Sequence, residues 1–362
     1  MAAGVYIHIP FCVRKCVYCD FLSFETENYK IYVDALLDEI KTARFNEIFA
    51  GGVDTVYIGG GTPTALPSLF LCEILTVVHE FLLLPNVEIT VEINPGTVDF
   101  AYLSSLKEHG VTRLSFGLQA TQEHLLRGLG RIHSLEEFKK NFHAAKKADF
   151  DNINVDLMFA LPGQTLQNWH ETLLEVVSLA PQHISAYSLT PAENTPLFNA
   201  IKSGEIVLPC NDTDRLMYHE ARRFLADAGY VHYEISNFAK RGFESRHNIN
   251  CWQMKPYIGF GLGAHSFDGK TRWHNPEEME EYLRGVRSGV GGAPLTDEDI
   301  LSEKIILGLR LTEGVIECEF AGAYENEIAK LIKDGLLERK QNRLCLTARG
   351  MDFANRVFST LL

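Results

Sequence analysis

The sequence lacks a basic excess, a long apolar run and a dense set of cysteines, and each lack removes a class of protein. Acidic residues outnumber basic ones 47 to 34, for a formal net charge of −13. A field of that sign repels phosphate backbones and anionic bilayers, so nucleic acid is not an expected partner. The most apolar stretch, Phe70 to Leu84, is interrupted by Cys72, Glu73, Thr76, His79 and Glu80. It reads as a core-facing helix and not a membrane span, which leaves only peripheral membrane contact open. The apolar run from Val5 to Phe11 is short and unlike a signal peptide. Eight cysteines in 362 residues are too few for a disulfide scaffold. Three of them, Cys12, Cys16 and Cys19, crowd into eight positions, which fits a reducing cytoplasm and one soft-metal site.

What is present is an ordinary globular composition, 46% hydrophobic and 22% charged, long enough for two or three domains or one large barrel with an appendage. Short β-branched runs predict strands at Val5–Ile9, Thr55–Ile58, Glu88–Ile93, Arg113–Leu118, Asn152–Phe159 and His183–Leu189. Between them, Tyr29–Phe45, Leu66–Leu84, Val98–Glu108, Leu135–Ala148 and Leu166–Leu179 have helical spacing of apolar residues. Alternation of this kind predicts an α/β fold with a parallel sheet and right-handed crossovers, either doubly wound or curled into a partial barrel. Both place the chemistry at the C-terminal ends of the strands. There the sequence has the cysteines, Gly59-Gly60-Gly61-Thr62-Pro63, Glu92-Ile93-Asn94-Pro95, Gly117-Leu118-Gln119 and Asp156.

The pattern divides the chain into a core over 1–195, a less regular extension over 196–296 and a C-terminal module over 297–362. The module reads as helices followed by a small hairpin, a winged-helix-like arrangement. Without a basic stripe it reads as a packing or capping module.

In Cys12-Val-Arg-Lys-Cys16-Val-Tyr-Cys19, three soft thiolates on one loop can hold three corners of an iron–sulfur cubane. Spacing alone leaves structural zinc open, with His8 or Asp20 as fourth ligand. The glycine run after the second strand adds backbone that a ligand can approach closely.

Together the C-x3-C-x2-C loop and the Gly-Gly-Gly-Thr-Pro run resemble the radical SAM superfamily. The resemblance implies a partial (β/α)6 barrel and a 4Fe–4S cluster whose open iron binds S-adenosylmethionine (SAM). Tyr6-Ile-His8-Ile-Pro10-Phe11 resembles the branch that holds the oxygen-independent coproporphyrinogen III oxidases and the HemW haem chaperones. By that resemblance Cys12, Cys16 and Cys19 are the metal ligands. Tyr6, Tyr18, Gly60, Gly61, Thr62, Glu92, Gln119, Arg131 and Asp156 fall on SAM-contacting positions. The oxidases carry a fourth cysteine two residues beyond the third, where this chain has Phe21, and an extension ahead of the cluster. Both departures favour the HemW type. So does His247-Asn248-Ile249-Asn250-Cys251-Trp252, similar to a His-Asn-x-x-Tyr-Trp motif with Cys251 in place of Tyr. The implied partners are haem or a porphyrinogen, an acceptor protein and an electron donor. His247 is the candidate haem ligand, as imidazole commonly is, with Trp252 as an apolar wall.

Overall fold

The six expected strands form and run parallel in the protein, a computed structural model that describes residues 2–26, 28–43, 46–286, 292–320 and 322–362. They are β1 (Ala3–Ile9), β2 (Val53–Gly60), β3 (Leu83–Ile93), β4 (Arg113–Gln119), β5 (Ile153–Phe159) and β6 (His183–Ser188). They lie side by side in chain order, and β1 does not pair with β6, so the curl is a partial barrel and not a closed one. Side chains alternate across each strand. Ile89, Val91, Leu114, Phe116, Val155 and Leu157 join the core under the surrounding helices. Their neighbours Glu92, Arg113, Ser115, Asn154 and Asp156 line the barrel interior.

Several helices between the strands begin on side-chain caps that orient them. Ser134 and Glu137 form a reciprocal capping box at the start of Leu135–Lys147, and Thr165 with Asn168 does the same for Leu166–Ser178. The expected helix over 66–84 is shorter. It spans Ser68–Val78, and Leu83 and Leu84 belong to β3. The last four residues of the expected helix, Phe81-Leu82-Leu83-Leu84, are all apolar and carry neither period, so they could not show where helix gives way to strand. The expected Tyr29–Phe45 helix runs over Lys30–Ala43, and positions 44–45 lie outside the described residues. A short helix, Glu123–Gly128, was not visible in the sequence pattern.

The extension widens the same sheet on both sides. The hairpin β7 (Val231–Glu234) and β8 (Asn237–Ala239) adds beyond β6. On the other edge β9 (Tyr257–Phe260) runs parallel to β1, followed by β10 (His265–Phe267) and β11 (Arg272–His274). The eleven described strands have the order β11-β10-β9-β1-β2-β3-β4-β5-β6-β8-β7. Buried Glu39, on the helix after β1, ties the added edge in place. It accepts from Gly261 N at 3.0 Å, Asn275 Nδ2 at 2.7 Å and the Tyr282 hydroxyl at 2.6 Å. Three donors on one carboxylate satisfy a charge that would otherwise be costly to bury.

The C-terminal module has its own three-stranded sheet, β12 (Val315–Ile316), β14 (Arg343–Leu346) and β13 (Leu337–Lys340), and its own core around Ile305, Leu309, Leu331 and Val357. Backbone bonds from Ile235 N to Arg310 O at 3.1 Å and from Thr312 N to Tyr233 O at 3.0 Å attach it to the barrel. The helix expected from Ala348 is two pieces, Ala348–Asp352 and Ala354–Thr360, with Phe353 at the break.

Candidate cluster and cofactor site

The cysteine loop leaves β1 and turns back over the mouth of the barrel. Backbone bonds hold it there: Cys12 N to Phe24 O at 3.0 Å, Val17 N to Leu129 O at 3.1 Å and Cys19 N to Cys16 O at 3.2 Å. Cys12, Cys16 and Cys19 are free, half-buried thiols that line one cavity of about 540 Å³. The glycine turn faces them. Gly61 N donates to Ile9 O at 2.9 Å and Thr62 N to Phe11 O at 2.7 Å. A side chain would not fit at either glycine. A Cβ on Gly61 would stand 2.7 Å from Phe11 O and 3.1 Å from Cys12 Sγ, and Gly60 has φ +112°.

The remaining walls come from alternate residues of successive strands. Glu92 accepts from the Tyr57 hydroxyl at 2.7 Å and Gly60 N at 3.2 Å. Burial, with the charge of Asp156 adding to it, pushes its carboxyl up to about 7. Asp156 accepts from Asn154 Nδ2 at 2.7 Å and Ser115 Oγ at 3.2 Å, and burial raises its pKa as well. Gln119 has φ +71°, and its Oε1 accepts from the Tyr187 hydroxyl at 3.0 Å. Arg131 donates to Asn94 Oδ1 at 2.7 Å, to Gly117 O and to Cys16 Sγ at 3.6 Å. Tyr18 stands between two of the thiols at the rim, its hydroxyl pKa raised by burial. The structure thus brings Tyr18, Gly60, Gly61, Thr62, Glu92, Gln119, Arg131, Asp156 and the three cysteines together in one cavity.

Residues 6–176 match the Radical SAM superfamily model, and residues 295–353 match the HemN C-terminal domain. The chain is 35% identical to "Heme chaperone HemW" of Bacillus subtilis, over 99% of both chains. It is 33% identical to "Radical S-adenosyl methionine domain-containing protein 1, mitochondrial" of Danio rerio, over 86% of this chain and 74% of that one. Among solved structures it resembles coproporphyrinogen III oxidase (HemN) of Escherichia coli, with a TM-score of 0.84, covering 99% of this chain and 90% of that one. At 24% identity that likeness shows the fold alone. The chain belongs to the HemW family of radical SAM proteins.

Membership in the radical SAM superfamily implies a 4Fe–4S cluster and SAM, and the HemW-family site fits both. It offers three thiols, and none of the other five cysteines lines the cavity, so a cubane would keep one iron open. Zinc finds less support. His8 has both ring nitrogens engaged, Nδ1 with the Tyr6 hydroxyl at 3.0 Å and Nε2 with Leu22 O at 2.9 Å.

Three residues expected at the site from the motifs stand outside this cavity. Tyr6 does not line it; Tyr6 bonds His8 behind the glycine turn, and its ring stacks on cavity-lining Tyr57 with centroids 6.4 Å apart. His247 is buried near the start of β2, with Nδ1 3.0 Å from Thr55 Oγ1 and its ring beside Tyr57. Burial lowers its pKa to about 4, so it stays neutral, and the ring is enclosed away from the cavity. Trp252, at the other end of the same short helix, stacks under Arg310 at 4.2 Å and lines a separate cavity with Cys251. Asn248 of the same segment does line the main cavity, while Arg246 and His247 pack against β2 and β3. His247→Ala is expected to lower stability by about 1–3 kcal/mol through the lost buried hydrogen bond. The Soret band of added haem should keep its position and intensity; a lost or shifted band would restore His247 as a ligand.

Sequence reasoning placed Asn94 among the strand-end residues without a role of its own, and it missed Tyr57 and Arg113. The signal for them was period-two alternation: Tyr57 shares a strand face with Thr55, and Arg113 shares one with Ser115, Gly117 and Gln119.

Proposed function

We propose that this protein is a haem chaperone of the cytoplasm that binds haem and passes it to an acceptor protein, using a SAM-bound 4Fe–4S cluster in its barrel mouth. The observation that carries the proposal is full-length similarity to proteins named haem chaperones, together with Phe21. That side chain lines the cavity rim, 61% exposed, where the oxidase pattern places a fourth thiol. Among the described residues no helix is long and apolar enough to cross a membrane.

The cluster, when bound, supplies one-electron chemistry toward SAM. The chain's own residues bind and orient. Gly60 and Gly61 would offer bare backbone to the methionine end, and Glu92 and Asp156 would accept from amine or ribose donors. Tyr18 and Gln119 would be available to the base. A second cavity of about 800 Å³ adjoins the first through Tyr187, Ser188, Thr190 and Ser236, and runs between the barrel and the C-terminal module. Its Tyr218 and Phe358 supply apolar surface; Arg215, Arg310 and Arg356 also line it, each paired with a carboxylate (Asp214, Glu234 and Asp334) that a propionate would have to displace. It has the size for a tetrapyrrole beside the cluster.

Anaerobic, cluster-loaded protein should bind haem one to one and leave coproporphyrinogen III undecarboxylated in the presence of SAM and a reductant. Turnover of coproporphyrinogen would overturn the chaperone reading in favour of an oxidase. Absence of haem binding would overturn it outright.

A further inference from the structure

One chain of hydrogen bonds in the cavity wall begins on one cluster cysteine and ends on another. Arg131 Nη1 donates to Cys16 Sγ at 3.6 Å. The other terminal nitrogen, Nη2, donates to Asn94 Oδ1 at 2.7 Å. Asn94 Nδ2 then donates to Thr62 Oγ1 at 2.5 Å, and Thr62 Oγ1 lies 3.5 Å from Cys12 Sγ.

The directions along this chain are fixed by chemistry. A guanidinium only donates, so the amide of Asn94 must turn its oxygen to Arg131 and its nitrogen to Thr62. The Thr62 oxygen then accepts from Asn94, and its own proton is left to point at Cys12. A hydroxyl alone could rotate either way; Asn94 removes that freedom. The relay is also sterically prepared. A Cβ at Gly117 would stand 3.2 Å from both Arg131 Nη2 and Asn94 Oδ1, so glycine at that strand position leaves room for the two to meet.

We infer that Asn94 is a positioning residue: it directs the Thr62 hydroxyl onto Cys12 while Arg131 donates to Cys16, so that two of the three cluster sulfurs each receive a proton donor. Donation to a thiolate withdraws electron density from it and favours the reduced cluster, which raises the reduction potential. The inference rests on the cluster assignment and not on what the protein does with haem.

The test is a redox titration of the reconstituted full-length protein, without SAM, followed by the electron paramagnetic resonance signal of the reduced cluster. Iron and sulfide content are measured first. Thr62→Val removes the hydroxyl at constant shape, and Asn94→Leu removes the director. Each is expected to move the midpoint potential downward, and the double variant to move it by less than the sum, because Asn94 acts through Thr62. Thr62→Ser, which keeps the hydroxyl, should hold the parent value. If Asn94→Leu does not assemble a cluster, the same cycle is run with Asn94→Asp, whose acceptor oxygens draw the Thr62 proton away from Cys12. An unchanged potential in Thr62→Val, or shifts that simply add, would overturn the inference. Loss of cluster in every variant with normal loading in Thr62→Ser would also overturn it, since the contacts would then be structural and not electronic.

Discussion

Replacing any one of Cys12, Cys16 and Cys19 with alanine is expected to take the anaerobically reconstituted protein from about four irons per chain to below one. The brown colour and the bound SAM should go with them, because the open iron is one of the groups that SAM would chelate. The fold should survive. The loop that carries these residues is held by main-chain bonds from positions 12, 17 and 19, none of which uses a sulfur. All three side chains are only partly buried, so truncation leaves little cavity. Thermal unfolding of the metal-free variants should therefore match the metal-free parent within about 1 kcal/mol. Cys72→Ala and Cys210→Ala serve as controls and should load iron normally, since neither lines the cavity. A triad variant that kept the full iron content would sink the assignment. So would a control that lost it.

The barrel was legible because its two sequence signals agree. Strands such as Arg113–Gln119 and Ile153–Phe159 are short and carry bulky apolar residues on one face, and the long helix between them starts on a capping box. The cluster loop was legible because three cysteines at fixed spacing next to a glycine turn have few other uses. What the sequence hid was position in depth. Tyr6 and His247 belong to segments with functional motifs, but the strand pleat and the packing of a seven-residue helix put both behind the cavity wall. A motif says which residues recur together; it does not say which of them faces the ligand. The added strand β9 was hidden for a related reason. Tyr257–Phe260 is four residues long and merges into a glycine-rich turn, so its pairing with β1 is decided by tertiary contact and not by propensity.

Asn94 shows the opposite case. It sat in plain view at the end of β3, between Glu92 and Pro95, among the strand-end residues expected near a ligand but with no role of its own. Only the positions of Arg131, from 37 residues along the chain, and Thr62, from 32 residues back, give it a direction.

Glu92→Gln should make the SAM-free protein more stable and the SAM complex weaker. Glu92 lies at the end of β3 with its carboxylate on Tyr57 and Gly60, and burial raises its pKa from 4.5 to about 7. An acid whose folded pKa lies above its unfolded value holds its proton longer in the folded state. Its contribution to stability is present in full below about 4.5 and is lost as pH rises through about 7. At pH 8 the native protein therefore carries the cost of a desolvated carboxylate, on the order of 1–3 kcal/mol. The amide has no such cost and still accepts from Tyr57. The variant should unfold at higher temperature than the parent at pH 8, and the two should converge near pH 4.5. That retained cost is what a charged acceptor for the SAM amine or ribose requires. In cluster-loaded parent protein SAM affinity should climb as pH passes through about 7. In the Gln variant this step should vanish, with binding at pH 8 weaker by roughly ten- to a hundredfold. The titration of SAM itself is common to both proteins, so the difference between the two profiles isolates the carboxylate. Equal affinities at pH 8 would remove Glu92 from the SAM site, and a variant less stable than the parent would show that its hydrogen bonds outweigh its burial.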